Sequence, residues 1–280
     1  MLYNKYIVYL LCLINFGSCL SQETEIQNIE RNKMNDQKEV QISSEWLNFI
    51  NDRIKAQKGS YLVKDQVGKD LVIEWEKINP SSEDLNGIIK DVSSLLVKNY
   101  TEMELGFAKK HPERVSQEMF LKPLESIFKN GIDNVNWGEA KEILRKNLQK
   151  FFLNTDFAKF SNPNEIQLFV TAKDPKDGNK LGVIQFLISQ QLEYGTVKIA
   201  FFAVDSSQEN WDIEKLLISC AFRLIPDVKR LFLHTRITNE KAIKSYQNLG
   251  FTKFFGALVF WTDLEYLADK SNILQEFLKV

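Results

Sequence analysis

The chain has 280 residues, of which 44% are hydrophobic and 12% aromatic, which is enough to build one large domain or two small ones. Its 36 lysines and arginines are balanced by 37 aspartates and glutamates, and the formal net charge is −1 at pH 7. This balance gives no electrostatic case for binding nucleic acid or a membrane surface, since both favour a basic excess.

The first residues read as an export signal. A basic start, Met1–Lys5, is followed by the apolar run Tyr6–Phe16, which is shorter than the roughly 20 residues that span a bilayer. Gly17-Ser18-Cys19 then supplies small residues at a cleavage point. Residues 1–21 are therefore predicted to be a signal peptide, and the mature chain to be secreted or periplasmic without a transmembrane span. Because the end of this run also resembles a bacterial lipobox, a lipid anchor at Cys19 is the alternative.

The mature body is predicted to use neither disulfides nor metals. Cys12 and Cys19 lie in the export segment, and Cys220 is the third of the 3 cysteines. No cysteine pair remains for a disulfide, and no zinc-ligand spacing occurs. Cys220 is predicted to be a small core residue.

A polar linker and a single helix are predicted to precede the main domain. Residues 22–42 are polar and charged without periodicity, which favours a linker. Residues 43–60 are predicted to be an N-terminal helix that opens at Ser43-Ser44-Glu45. Its apolar stripe is Trp46, Leu47, Phe49, Ile50 and Ile54.

The next part of the chain is predicted to be one strand followed by a long helical region. Leu71–Ile78 reads as the strand, and nearly all of Leu85–Phe152 has a helical pattern. The helical pattern breaks at His111-Pro112, at Asn130-Gly131 and around Asn136.

The following segment is predicted to be mostly strands. Ile166–Ala172 and Leu181–Ser189 read as a hairpin across a turn at Asp174–Asn179, and Thr196–Val204 reads as the next strand. A helix over Asn210–Leu224 follows. The last predicted elements are the strands Phe251–Phe255 and Leu258–Leu264 and a helix over Leu267–Leu278.

Residues 231–251 carry the most specific pattern. Leu231, Leu233 and Thr235 alternate as in a strand. Asn239 is suited to cap the following helix, and Gly250 to end it in a left-handed conformation. One helical face would carry Ala242, Ile243, Tyr246 and Leu249.

This pattern resembles the GNAT superfamily of acyl-CoA-dependent N-acyltransferases, in which a strand precedes N-x-x-A-x-x-x-Y-x-x-x-G-F. The resemblance implies an α/β fold with a mixed central sheet flanked by helices, here with an enlarged N-terminal helical region. It implies a GNAT-like domain over residues 69–265, followed by a C-terminal helix over 266–280. The glycine of the family's third strand matches Gly182. The five motif positions are filled by Asn239, Ala242, Tyr246, Gly250 and Phe251.

The resemblance also implies a site for acetyl-CoA. The pantetheine arm would lie beside the strand Thr196–Val204, and the pyrophosphate would rest on the loop after it, at a helix N-terminus. Tyr246 would protonate the departing thiolate. The residues expected to contact the cofactor are Phe202, Val204, Gln208, Asn210, Ile213 and Asn239.

The pyrophosphate loop departs from the family pattern. The family has R/Q-x-x-G-x-G/A there, because glycine lets backbone amides approach phosphates. Here Glu209 holds the basic position, and Asn210, Asp212 and Glu214 replace the glycines. Unit charges a few ångströms apart repel by ~1 kcal/mol in water and by more where water is partly excluded. Binding of acetyl-CoA is therefore expected to be weak or lost.

Transfer to an amine also needs a proton acceptor. The candidates are His234, whose pKa range suits the task, and Glu193, just before the strand Thr196–Val204. Either side chain could equally have a surface role.

Two functions remain open from the sequence. The first is an N-acetyltransferase that moves an acyl group from acyl-CoA to an amine on a small molecule or a protein. The alternative is an exported GNAT-fold binding module that has lost catalysis, which the leader and the acidic loop both favour because acetyl-CoA is cytosolic. The intact pair of Asn239 and Tyr246 favours the enzyme.

Overall fold

The computed structural model describes residues 45–54, 57–64, 68–78, 84–129, 131–160, 165–189, 192–205, 211–253 and 263–271. The predicted signal peptide and linker lie outside these ranges, as do Gln208, Glu209 and Asn210. Within the described ranges, no helix has the length and hydropathy needed to cross a bilayer.

The helices fall largely where the sequence predicted them. They are α1 (45–53), α2 (Asp84–Lys110), α3 (Trp137–Asn154), α4 (Trp211–Leu224) and α5 (Glu240–Asn248). Short 3-10 segments and one helical turn, Glu125–Phe128, connect α2 to α3. The predicted breaks are confirmed: α2 ends before His111-Pro112, and Asn136 caps α3 by accepting a hydrogen bond from the Glu139 amide at 3.2 Å.

In the described part of the chain, eight strands form one mixed sheet. They are β1 (Lys58–Lys64), β2 (Asp70–Ile78), β3 (Glu165–Lys173), β4 (Lys180–Ser189), β5 (Thr196–Val204), β6 (Arg230–Arg236), β7 (Thr252–Lys253) and β8 (Asp263–Asp269). Their order is β1-β2-β3-β4-β5-β6-β8-β7, and β5 and β6 are the parallel pair. The described sheet and its flanking helices match the predicted fold class.

The two faces of the sheet build two cores. One face packs against α1, α4 and α5, and the other against α2 and α3. Alternation along the strands assigns the side chains: Leu231 and Leu233 face α4 and α5, whereas Phe201 and Ala203 face α2 and α3. Cys220 is buried in the first core, as predicted.

The N-terminal helix packs on the domain but is shorter than predicted. Trp46 and Ile50 are buried in the first core, and Lys77 Nζ donates hydrogen bonds to the carbonyls of Asn51 and Ile54, each at 3.2 Å. These bonds satisfy carbonyls at the end of α1, where no further helical turn donates N–H groups to them. The predicted range 43–60 is wrong at its end, because residues 58–64 form the edge strand β1.

The last described strand also corrects the sequence analysis. Residues 263–269 form β8, so a helix beginning at Leu267 is wrong for the residues that the structure describes. β8 pairs with β6 over seven residue pairs, from Arg230↔Asp269 to Arg236↔Asp263. That pairing outweighs the local helical pattern, because a short apolar run carries no decisive period.

The parallel strands β5 and β6 separate part of the way along. They pair from Thr196↔Arg230 to Ile199↔Leu233, whereas β5 continues to Val204 and β6 to Arg236. The register of β4 against β5 shifts at the same level, because Gln185 faces Phe201 and Phe186 faces Ile199. Ala200 is therefore an extra residue on β5, a β-bulge that bends the strand and increases its twist.

Candidate active site

A cleft of about 900 Å³ opens where β5 and β6 separate. Its walls come from the free part of β5, the end of β6, the N-terminal half of α5 and one side of α2. β4 still pairs with β5 as far as Gly182↔Val204, and β8 with β6 as far as Arg236↔Asp263. The cleft is thus held open by two halves of one sheet, and this gives it a rigid frame.

The open edge of β5 carries two of the predicted cofactor contacts. Phe202 and Val204 both line the cleft. The carbonyl of Val204 accepts a hydrogen bond from Asn99 Nδ2 of α2 at 3.1 Å. The backbone between the bulge and Val204 has no β6 partner, so it can bond to an extended ligand as a strand would.

Ile213 has a different environment from the one predicted for a cofactor contact. It is buried in the first core on the inner side of α4 and is not among the residues that line the cleft. A Cβ at Gly182 would lie 3.0 Å from Ile213 Cγ2 and 2.8 Å from Leu217 Cδ1. Gly182 therefore lets α4 approach β4 closely, which explains the glycine that the sequence analysis matched.

Asn239 and Tyr246 both reach the cleft from α5. Asn239 is the predicted N-cap: its Oδ1 accepts from the Ala242 amide at 3.4 Å, and its Nδ2 donates to Thr235 Oγ1 at 3.4 Å. The helix ends as predicted, with Gly250 at φ 89° and the Phe251 amide donating to the Tyr246 carbonyl at 2.9 Å.

The phenol of Tyr246 is held protonated by its surroundings. Its ring stacks against Phe202 with centroids 6.1 Å apart, and 9% of the residue is exposed. Burial raises the pKa of this phenol above its ordinary range, and the nearby carboxylate of Glu214 and the Tyr100 hydroxyl raise it further. A neutral phenol is a hydrogen-bond donor, which is the state that a proton donor must have.

Of the two predicted proton acceptors, only one lies at the cleft. His234 of β6 lines the cleft, and its ring contacts Phe232 edge to face with centroids 4.8 Å apart. Glu193 lies before the paired end of β5 and forms an exposed ion pair with Arg230. The geometry thus supports His234 over Glu193, because a base must reach the proton that it removes.

Of the carboxylates expected near the phosphates, Glu214 is the one whose side chain lies in the described part of the chain. Glu209 lies outside that part, as does the side chain of Asp212. Glu214 lines the cleft, and its carboxylate accepts a hydrogen bond from the Ser245 hydroxyl of α5. Burial raises the pKa of Glu214, whereas Ser245 and Lys241 act in the opposite direction.

The sequence analysis missed a buried ionic cluster in the α2 wall. Arg236 Nη2 donates to Glu104 Oε1 at 3.2 Å and to Glu118 Oε2 at 2.9 Å, and its guanidinium lies 4.7 Å from the ring centroid of Phe107. All three charged residues are buried. Glu104 could have been noticed as an acid that directly precedes the apolar run Leu105–Ala108, but Glu104 and Glu118 are both more than 100 residues from Arg236 in sequence.

Residues 134–251 match the family model described as "Acetyltransferase (GNAT) family". No protein with a curated description matches the chain.

Several solved structures are similar at low identity. An uncharacterized protein from Bacillus halodurans is 12% identical, with a TM-score of 0.39 over 79% of this chain and 95% of that one. The N-acetyltransferase PseH from Campylobacter jejuni is 18% identical, with a TM-score of 0.31 over 53% of this chain and 90% of that one. IAA acetyltransferase from Bacillus cereus is 19% identical, with a TM-score of 0.30 over 37% and 77%.

The family match covers the elements that build the cleft apart from α2. It extends from Asn134 to Phe251 and therefore includes the bulged strand β5, the helix α4 and the whole strand–helix motif with Asn239 and Tyr246. The sequence motif and the family model agree on the same segment, and this part of the chain is a divergent member of the GNAT superfamily.

Proposed function

We propose that this protein transfers an acyl group from acyl-CoA to an amine, and that the cleft between β5 and β6 is its active site. One observation carries the proposal: a buried, protonated tyrosine and a histidine line the same cleft, at the point where the parallel strands separate. Acyl transfer needs a proton acceptor for the attacking amine and a proton donor for the leaving sulfur.

The proposed reaction is a direct transfer. The amine nitrogen attacks the thioester carbonyl, a C–N bond forms, and the C–S bond breaks. His234 takes the proton that the amine loses. Tyr246 hydrogen-bonds the departing sulfur and donates its proton to it. The free backbone of β5 would hold the acyl donor in line with these two groups.

The cleft fits the uncharged part of the donor better than the charged part. Phe202, Tyr246 and the open strand edge suit a pantetheine arm, which is an extended chain of amides. Three lysines also line the cleft: Lys98 and Lys110 are ion-paired with Asp205 and Glu240 respectively, and Lys241 lies near the carboxylate of Glu214. Weak binding of acetyl-CoA is therefore part of the proposal.

An amine acceptor is consistent with the charge of the opposite wall. The carboxylates of Glu104 and Glu118 both contact the guanidinium of Arg236, and Glu102, Glu104 and Glu214 line the cleft. Such a wall favours a cationic acceptor over an anionic one. The size of the acceptor is left to experiment.

The test is an acyl-transfer assay with acetyl-CoA and a panel of primary alkylamines, polyamines and lysine peptides. The reaction rate is measured as the release of free CoA thiol. We expect turnover by the wild type and a rate lower by about 10-fold or more for Tyr246→Phe, because the sulfur loses its proton donor. CoA affinity should be unchanged, since the ring and its packing remain.

Two results would contradict this proposal. Equal rates for the wild type and Tyr246→Phe would remove the phenol from the mechanism. Binding of CoA without turnover of any acceptor would favour the alternative, a GNAT-fold binding module without catalysis.

We also propose that the chain is exported, on the strength of the basic and apolar segments within residues 1–21. Expression of the full chain with a C-terminal tag should yield a processed N-terminus by mass spectrometry. A cytosolic product that retains Met1 would contradict export, and a lipid-modified Cys19 would identify the lipoprotein route.

A further inference from the structure

A side-chain bridge joins α4 to α5 within the cleft. Glu214 of α4 and Ser245 of α5 both line the cleft, and the Ser245 hydroxyl donates a hydrogen bond to the Glu214 carboxylate. Ser245 directly precedes Tyr246, so the bridge lies beside the residue proposed to protonate the sulfur. Glu214 also affects Tyr246 electrostatically, because its negative charge raises the pKa of the Tyr246 phenol.

The surroundings of Glu214 leave its negative charge only partly offset. From α5 it faces Lys241, Ser245 and Tyr246, and Tyr100 of α2 lies close to the same phenol. Lys98 and Asp205 line the cleft where β5 ends, but they are paired with each other. A ligand that enters between α4 and α5 therefore meets the carboxylate of Glu214, with Lys241 as a neighbouring cation.

We propose that Glu214 is a proton-controlled selectivity residue for the acyl donor, opposing an anionic donor when it is ionised and admitting the donor when it is protonated. This inference rests on the proposed function, because it assigns the donor to the β5–β6 cleft. It extends that function by naming the residue that sets donor affinity and the condition that changes it.

The raised pKa of the Glu214 carboxyl allows pH to control donor binding. Burial is the largest influence on Glu214 and raises the pKa of its carboxyl above the ordinary range, although Ser245 and Lys241 oppose this. The carboxyl consequently takes up a proton at a higher pH than an exposed glutamate does. Affinity for an anionic donor should therefore rise as the pH falls towards the raised pKa of this carboxyl.

The experiment measures CoA binding to the full chain by isothermal titration calorimetry from mildly alkaline to mildly acidic pH. At mildly alkaline pH and low ionic strength, we expect Glu214→Gln to bind CoA about tenfold more tightly than the wild type, because one unit of repulsion is removed. The advantage should shrink as the pH falls and the wild-type carboxyl takes up a proton. The phosphates of CoA also titrate in this range, but they contribute equally to both proteins.

Two further variants test whether the position of the carboxylate matters and whether the protonation of Glu214 controls CoA affinity. Glu102→Gln is the matched control, because Glu102 also lines the cleft but is exposed and paired with Lys141; its CoA affinity should change less than about twofold. In Ser245→Ala, the carboxylate loses a hydrogen bond that favours its ionised form. The rise in CoA affinity should then begin at a higher pH than in the wild type.

The outcomes separate the two proposals. Equal affinity of Glu214→Gln and the wild type at every pH would overturn the role of Glu214 and leave the proposed acyltransferase standing. A tighter Glu102→Gln variant would also overturn it, because position would then be irrelevant. Absence of CoA binding by all variants at every pH would overturn the proposed function, and this inference with it.

Discussion

At the scale of single residues, the cleft wall depends on charges that are removed from water. Arg236 is 9% exposed, Glu104 1% and Glu118 6%, and the guanidinium contacts both carboxylates. Buried ions are costly to desolvate, so an arrangement of this kind is sensitive to the loss of one partner. Arg236 also follows His234 by two positions in β6 and shares its face of the sheet.

We therefore expect Arg236→Met to lower the free energy of unfolding by about 3–5 kcal/mol, because two buried carboxylates lose their partner. Urea unfolding followed by circular dichroism measures this. Arg145→Met is the control, since Arg145 forms an exposed pair with Glu142 on α3 and should leave the transition almost unchanged. Adding Glu118→Gln to Arg236→Met should restore part of the loss, and a loss no larger than that of the control would contradict a role for the cluster in stability.

At the scale of elements, two local features of the sheet shape the site. The bulge at Ala200 bends β5 where its pairing with β6 ends, and the cleft opens from that level. Gly182 on the neighbouring strand β4 lets α4 pack closely, because a Cβ there would lie 2.8 Å from Leu217 and 3.4 Å from the Ala203 carbonyl. α4 in turn carries Glu214 to the cleft.

Gly182→Val should displace α4 and lower the free energy of unfolding by about 1–3 kcal/mol, as expected for overpacking of a dense core. Gly87→Ala in α2 is the matched control. A Cβ at Gly87 meets no atom within 4 Å, so the variant should gain up to about 1 kcal/mol from helix propensity. Thermal and urea unfolding of the two variants should move in opposite directions; a neutral Gly182→Val would show that α4 can shift freely.

Local patterns predicted elements well where the period was clear. Thr196–Val204 was predicted with the bounds that β5 has, and the Asn239 cap and the Gly250 stop were both confirmed. β1 was missed and β8 was misread at Leu267–Asp269, because both are short segments whose conformation is decided by a neighbouring strand. Propensity alone cannot detect such a partner.

At the scale of the whole molecule, one buried carboxyl couples stability to pH. Glu165 begins β3 with 6% exposure, and burial raises its pKa to about 7 from an ordinary value of 4.5, although the charge of Lys198 opposes the shift. The folded protein thus keeps this proton to higher pH than the unfolded chain does. The associated stability is complete below the unfolded pKa and is lost as the pH rises through the folded one.

We expect the wild type to lose up to about 3 kcal/mol of unfolding free energy relative to Glu165→Gln between about pH 4.5 and about pH 7. The glutamine has a similar shape but no proton to release, so its own profile should be flatter. Urea denaturation at a series of pH values provides the comparison. Parallel profiles for the two proteins would show that Glu165 titrates normally in the folded state.

The sequence by itself determined the superfamily, most of the element order and the candidate proton donor, because a capped amphipathic helix and its glycine stop are encoded within about 20 neighbouring residues. It also identified His234, Asn239, Phe202 and Val204, all of which line the cleft. Only the tertiary structure decided which candidates meet. In the folded protein, Ile213 is buried and Glu193 pairs with Arg230 outside the cleft. Ser245 hydrogen-bonds Glu214, and Arg236 contacts Glu104 and Glu118. These contacts link residues far apart in the chain, and their strength depends on burial, which no local pattern records.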